Sequence, residues 1–490
     1  MHAEPTVPSP DTRRSNLLIA LMLLVAAVAA RAQTFGNPVI GFDEQFYLLV
    51  GDRMIHGAIP FVDIFDRKPV GLFLIYGFVR LLGGEGTLQY QLVAGSFALA
   101  TAILLWRFSR RMAGQTGAVI AAIAYLVWLD FLEGEAGQAP VFFNLPVLLA
   151  AITTARAVER RGVKLLTGLV PMLLIGVAMQ IKYTALFEGI FFGVAMLGVA
   201  WREGRGIAQL ASFAATWVFA ALAPTLAAWL TYAAMGYSDA FLFANFVSMW
   251  GKLGDPWQTS AIGLLQIIGM LSPILLCAVF VPACAEPGVA ASRRFVRHWL
   301  LAAIAGMLVM RSFPSPHYAM PVLVPALIAA APRFGQPGWT RRLVWGALAV
   351  AALASQAVLY KLHTLKGGAE QAARIAQAAN PGKGCLYVYD GYPALYRLTN
   401  SCLPSRYVFP GHLNMANEAS VAALGVDPST EVRRIMATRP TAVVLDDPPF
   451  ERGNHETYAI VLAELALHYD RVLALRTGKH RLRLVYRLRR

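Results

Sequence analysis

The chain has 490 residues, of which 57% are hydrophobic and 14% charged, and its formal net charge is +15. Soluble domains carry about 25% charged residues, so this composition excludes an ordinary soluble globular protein. The basic residues cluster beside apolar runs instead of forming a stripe on a polar domain, which argues against nucleic acid as a partner and for membrane orientation.

In chain order, Arg13 and Arg14 precede an apolar run at 17–33 that closes on Ala-Arg-Ala. That pattern suits a signal peptide, but the run is long for one and many more follow, so it reads as an uncleaved first helix. A membrane helix takes about 20 mostly apolar residues. Further runs lie at 88–106, 115–131, 139–155, 165–181, 183–201, 209–235, 260–284, 299–310, 318–331 and 343–360, for a total of about eleven spans. The stretch 69–82 is too short to span and reads as an interfacial helix.

The positive-inside rule fixes a direction. With the N-terminus inside, the clusters Arg13/Arg14, Arg107/Arg110/Arg111, Arg156/Arg160/Arg161/Lys164, Arg202/Arg205, Arg293/Arg294/Arg297 and Arg333/Arg341/Arg342 all fall on the cytoplasmic side. An odd count then places the C-terminus outside. Lys182, which interrupts the apolar stretch 165–201, becomes the tip of a tight hairpin at the outer surface. The outer segments are 34–87, 130–138, 236–259, 311–317 and 361–490.

After Tyr360 polar residues return. Residues 385–389 alternate like a strand, 441–445 read as a buried strand, 458–468 have helical spacing and 481–488 alternate again. The chain therefore divides into a membrane module, 1–360, and a small α/β domain of about 120 residues, 361–490. Of the four cysteines, Cys277 and Cys284 sit in or beside an apolar span, and no zinc-type spacing exists. Cys385 and Cys402 lie outside, where thiols oxidise, and are expected to form a disulfide; two free buried thiols are the alternative. The basic tail, Arg487, Arg489 and Arg490, lies near anionic lipid or is solvated.

The first outer loop concentrates the chemistry. Asp43 and Glu44 follow directly on the first span, and Asp43 and Tyr47 share a face if the segment is helical. Arg67 and Lys68 stand just before the interfacial helix, where a lipid phosphate would lie. A carboxylate at the lipid boundary is costly unless paired or used. A solvated acidic pair is the bland alternative, and the density of charge beside Gly, Pro and aromatic residues disfavours it.

The order Asp43-Glu44, Tyr47, Gly57, Pro60, Asp63, Asp66-Arg67-Lys68-Pro69 resembles the first loop of GT-C glycosyltransferases. The branch holding protein O-mannosyltransferases and lipid A aminoarabinose transferases, with related bacterial glycosyltransferases, looks most similar. Gln180-Ile181-Lys182-Tyr183, the segment from Arg311 through His317-Tyr318 to Pro321, and the segment from Tyr387 to Tyr396 resemble further family motifs. One departure is Val70, which stands where the family often has the second proline of Lys-Pro-Pro.

The resemblance implies an α-helical polytopic membrane protein of GT-C type with a small α/β C-terminal domain. It implies an inverting transferase that moves a sugar from a polyprenyl phosphate to a cell-envelope acceptor (lipid, glycan or protein). The site would lie on the periplasmic face of a bacterial inner membrane. Asp43 would be the general base, with Glu44 orienting it or the acceptor. Lys68 would meet the donor phosphate, joined by Arg311, His317 and Lys182. Tyr47, Asp66, Asp130, Glu133 and Glu135 would position the acceptor, the last three also being a place for a divalent cation. No metal is expected to be required, and no nucleotide cofactor, since no phosphate-cradling glycine loop is present. The expected partners are the lipid-linked donor, the bilayer and an unidentified acceptor.

Two rivals remain. A transporter would show an internal repeat or charges in mid-membrane, and neither is seen. A polysaccharide polymerase or ligase would carry its essential residues in a large late outer loop, whereas here the largest loop is the first.

Overall fold

A computed structural model describes residues 10–160, 162–283, 286–380, 384–418, 420–477 and 481–489. Arg161, Cys284 and Arg490, named above, lie outside the described residues.

The apolar segments fold as helices because a helix satisfies every backbone polar group within itself, as lipid demands. They are α1 (Pro10–Arg31), α4 (Thr87–Trp128), α5 (Ala139–Arg160), α6 (Leu169–Met179), α7 (Leu186–Arg202), α8 (Ile207–Ala234), α10 (Trp257–Val279), α11 (Pro287–Met310), α12 (Met320–Phe334) and α13 (Trp339–Lys366). Among the described residues, seven helices are long and apolar enough to cross a membrane. The expected segments 88–106 and 115–131 are the two arms of α4, which breaks at Gly114 with a φ of 67°, a conformation that favours glycine. The run 299–310 is the end of a helix that starts twelve residues earlier. The run 165–181 gives a short α6 preceded by a 3-10 turn.

At one end of the bundle the basic clusters tie neighbouring helices together: Arg110 of α4 donates to Asn16 of α1, and Arg293 of α11 to the Met112 carbonyl of α4. The other end is built on the first loop, through α2 (Phe42–Met54) and α3 (Val70–Leu81). These helices cross where Gly51 meets the backbone of Tyr76. A Cβ on Gly51 would stand 2.5 Å from the Tyr76 carbonyl carbon, so a larger residue would push α2 away. The Leu72 N–H donates to the Gln180 carbonyl at 3.1 Å, tying α3 to the junction that carries Lys182. The short α9 (Ser238–Leu242) leads into a π turn in the loop before α10.

The C-terminal domain begins at α14 (Ala369–Ala379) and holds a four-stranded sheet in the order β1-β2-β4-β3. Strands β1 (Leu386–Val388) and β2 (Ala442–Asp447) are parallel. Strand β4 (Arg481–Leu488) runs antiparallel to both β2 and β3 (Tyr469–Thr477). Alternation in the sequence marks β1 and β4 and a short apolar run marks β2, while β3 follows directly on a helix and is not among the expected strands. Helices α15 (Ala394–Leu398), α16 (Pro410–Asn414), α17 (Val421–Leu424), α18 (Pro428–Ala437) and α19 (His455–His468) complete the domain. Cys385 and Cys402 are joined by a disulfide across a sequence separation of 17. Closing a loop of this length stabilises by about 3 kcal/mol. The double variant Cys385→Ser/Cys402→Ser is therefore expected to unfold at lower denaturant, with reductant lowering wild type to match.

The domain sits on the first loop. Phe42 and Phe46 pack on Phe409 at 5.0 and 5.1 Å between ring centroids, and Phe65 packs on His412 at 5.1 Å. Arg53 donates to the Ser401 carbonyl at 2.6 Å, and the Phe65 N–H to the Arg406 carbonyl at 2.9 Å. Arg67 reaches Glu418, Ser248 and the Ala423 carbonyl, and Lys252 reaches Glu418 at 2.5 Å.

Candidate active site

A cavity of about 610 Å³ opens between the bundle end and the C-terminal domain. That volume falls within the range of small-molecule sites. The first loop brings Asp43 and Lys68 to it. The loop before α10 brings Lys252 and Asp255, and the turn after α11 brings His317 and Tyr318. The C-terminal domain supplies Asp390, Glu418, Asp446, Arg452, Arg481 and Arg483. Four of the five segments read as outer loops, all but 130–138, therefore surround one space.

Nearly every charge lining it is paired. Arg483 pairs with Asp446, Arg481 with Asp390, Arg452 with Asp255, Lys252 with Glu418, and Lys366 stands 4.0 Å from Glu135. Among the described residues, Lys68 is the lining cation with no carboxylate within 4.0 Å. Asp43 is the lining carboxylate with no Lys, Arg or His nitrogen that close.

Asp43 is held by neutral donors instead. Its Oδ2 accepts from Gln138 Nε2 at 3.0 Å and from the Tyr47 hydroxyl at 3.1 Å. The Gln138 amide is oriented by the Ala139 N–H, the first of α5, which donates to Oε1 at 3.0 Å and leaves the NH₂ for Asp43. One helical turn separates Asp43 from Tyr47, so α2 itself supplies the second donor. Burial raises the Asp43 carboxyl, but Lys68, His317, the Gln138 bond and Lys182 more than offset it and hold the group at about 2.

Glu44 behaves oppositely. It is buried off the main cavity, and burial, then Glu135 and Asp43, push it well above the usual carboxylate range. The two adjacent carboxyls are thus driven apart, Asp43 toward its ionised form and Glu44 away from it. Lys68 Nζ stands 5.7 Å from the centroid of the Tyr47 ring. Burial lowers its amine, and Asp66 and Asp43 outweigh that and raise it, so it stays charged.

The other expected residues separate. His317 lines the cavity and donates from Nδ1 to Glu133 Oε2 at 2.8 Å. Burial and Lys182 push its imidazole down, against the opposing pull of Glu133 and Asp43. Lys182 is not at a surface: it is 5% exposed, its Nζ lies 3.7 Å from the Tyr318 ring centroid, and it does not line the cavity. Arg311 ends α11 with a φ of 50°, is exposed and stands apart from the cavity lining. Asp66 is buried and accepts from the Arg67 N–H at 2.6 Å. Tyr47 is buried beneath Asp43. Glu133 and Glu135 line a side pocket of about 210 Å³ with Asp43, Glu44 and His317. Asp130 lies inside the bundle near Arg31, away from both spaces. No group of three or more His, Cys, Asp or Glu among the described residues is placed to hold a metal ion.

Gln138 escapes a reading of the sequence; its one signal is a lone amide at the mouth of a helix in an outer loop. Glu418 also escapes it. Its burial opposes ionisation, but Lys252 and Arg67 hold it at about 2. A depressed carboxyl stabilises the fold above its ordinary value of 4.5 and loses that contribution as pH falls toward about 2. Docking of the C-terminal domain, followed by limited proteolysis, is expected to weaken across that window, and Glu418→Gln to dock weakly at every pH.

Residues 66–235 match the family model described as dolichyl-phosphate-mannose-protein mannosyltransferase. No curated protein matches the chain. Among solved structures, ArnT from Cupriavidus metallidurans bound to undecaprenyl phosphate is similar at 14% identity and a TM-score of 0.60, over 98% of each chain. The same protein in its apo state is similar at 15% identity and a TM-score of 0.61, over 96% of this chain and 98% of that one.

Proposed function

We propose, from the GT-C fold that this membrane protein shares with ArnT, that it is a glycosyltransferase using a polyprenyl-phosphate sugar as donor. The observation that carries the reading is the pair of unmatched charges, Asp43 and Lys68, facing one cavity whose other charges are neutralised. The matched mannosyltransferase model, which begins at Asp66 and so takes in Lys68, and the undecaprenyl phosphate bound to ArnT support it.

The reaction is a displacement at the anomeric carbon. The acceptor hydroxyl oxygen forms the new bond as the bond from that carbon to the phosphate oxygen breaks. The electron pair leaves with the phosphate, beside the Lys68 ammonium, and the hydroxyl proton passes to Asp43. Attack opposite the phosphate inverts the anomeric centre. At about 2, Asp43 is ionised and ready but weakly basic. A donor phosphate beside Lys68 cancels the charge that holds Asp43 down, so donor binding raises its basicity toward that of an effective base. His317 borders the cavity and is paired with Glu133 in the adjoining side pocket, so the two together add no net positive charge.

On this reading the cavity faces the outside of a bacterial inner membrane, and the basic clusters, which favour the cytoplasmic side, support that orientation. Deleting the gene is expected to remove one sugar residue from a cell-envelope glycan, seen by mass spectrometry. Wild type should restore it and Asp43→Asn, expressed at the same level, should not. Restoration by Asp43→Asn would refute the reading.

A further inference from the structure

The two walls of the cavity differ in kind. The first-loop wall presents single charges. The C-terminal wall presents charges already matched: Arg483 grips Asp446 through two hydrogen bonds of 2.7 and 2.8 Å, and Arg481 holds Asp390 at 2.6 Å. The first pair is set by strand register, since Arg483 on β4 stands directly opposite Asp446 on β2. Such a wall offers hydrogen-bonding edges with little net charge.

It also carries unused polar capacity. Among the described residues, Arg483 Nη1, Asn414 Oδ1 and Thr477 Oγ1 are buried without a partner, and all three residues line the cavity. Buried polar groups are normally satisfied, so orphans gathered on a cavity wall point to a ligand. Their types are mixed: a donor, an acceptor and a hydroxyl that does both. Two rings border the same wall. Arg483 covers Tyr392 at 3.9 Å, and Phe450 is half-buried beside Arg452 and Arg481.

A phosphate or carboxylate only accepts hydrogen bonds. It would meet the Asn414 oxygen unfavourably and compete with Asp446 and Asp390 for their arginines. A sugar hydroxyl both gives and takes, and a sugar's C–H face suits an aromatic ring. We infer that this wall is the acceptor subsite and that the acceptor presents an uncharged, hydroxyl-rich sugar unit to it. The inference rests on the glycosyltransferase reading and adds the class of acceptor.

The test uses the full chain in lipid nanodiscs. The probes are uncharged hexose and pentose disaccharides, the same sugars carrying a phosphate or a uronate, and undecaprenyl phosphate. Binding is read by calorimetry for wild type, Phe450→Ala and Thr477→Val. Uncharged sugars are expected to bind best. Phe450→Ala should weaken them about tenfold and Thr477→Val by about half that factor. Neither variant should alter undecaprenyl phosphate binding, and Thr477→Val carries the test alone if Phe450→Ala fails to fold. Tighter binding of the phosphorylated or uronate forms would overturn the inference. So would uncharged binding that neither variant moves, or no sugar binding at all in a protein that binds undecaprenyl phosphate. Uncharged sugars bound at this wall without undecaprenyl phosphate binding would support the subsite and sink the glycosyltransferase reading instead.

Discussion

Replacing Asp43 with Asn is expected to slow sugar transfer by about 10²–10⁴-fold, the range for losing a positioned general base, with folding and donor binding intact. Asn keeps an oxygen to accept from Gln138 and Tyr47, so the geometry of α2 survives. What it loses is the capacity to take a proton. The neighbouring Glu44 cannot replace it, because burial beside Glu135 and Asp43 opposes its ionisation and it does not line the main cavity. The acid limb for wild-type kcat/KM should fall near pH 2, the free-protein value, while the limb for kcat sits higher because the bound donor phosphate relieves the pull of Lys68. A variant that retained transfer within about tenfold of wild type would exclude Asp43 as the base.

Lys68→Met is expected to lower transfer by about 10²–10³-fold, the typical loss when one donor to a developing oxyanion is removed. Donor affinity should fall as well, since the lining cations other than Lys68 have partners among the described residues. Lys68→Arg should recover part of the rate by restoring the charge without the compact geometry of an ammonium. Lys68 acts on Asp43 in the lowering direction, so its removal must raise the Asp43 carboxyl and shift the acid limb of kcat/KM to higher pH. A slower variant with an unmoved limb would mean that Lys68 and Asp43 do not share one site.

The first loop was legible because its signal is local. Asp43 and Lys68 are charges next to apolar segments, and helical spacing alone puts Tyr47 under Asp43. The helices were legible for the same reason, as runs of apolar residues with basic flanks. What could not be read was which charges would be cancelled. Arg481 and Arg483 showed only a strand's alternation, and nothing nearby in sequence marks Asp390 and Asp446 as their partners. Arg311 shares the sequence context of Lys68, a cation at an outer helix end, yet α11 ends in a left-handed turn that leaves it exposed. Asp130, Glu133 and Glu135 look like one acidic group, but a tight turn with Glu133 at a φ of 59° sends Asp130 into the bundle and the two glutamates to the side pocket. Lys182 looked like a surface residue because a charge in an apolar stretch usually escapes to water. Tyr318, far along the chain, gives it an aromatic face instead.

The most direct measurement is release of undecaprenyl phosphate from a labelled undecaprenyl-phosphate sugar by the purified protein in nanodiscs, with an envelope extract as acceptor. Wild type should release it in step with sugar appearing on the acceptor. Asp43→Asn should bind the donor and release almost none, and Lys68→Met should bind it weakly. Donor binding without release by wild type, or release that survives both substitutions, would contradict the assignment of this pair.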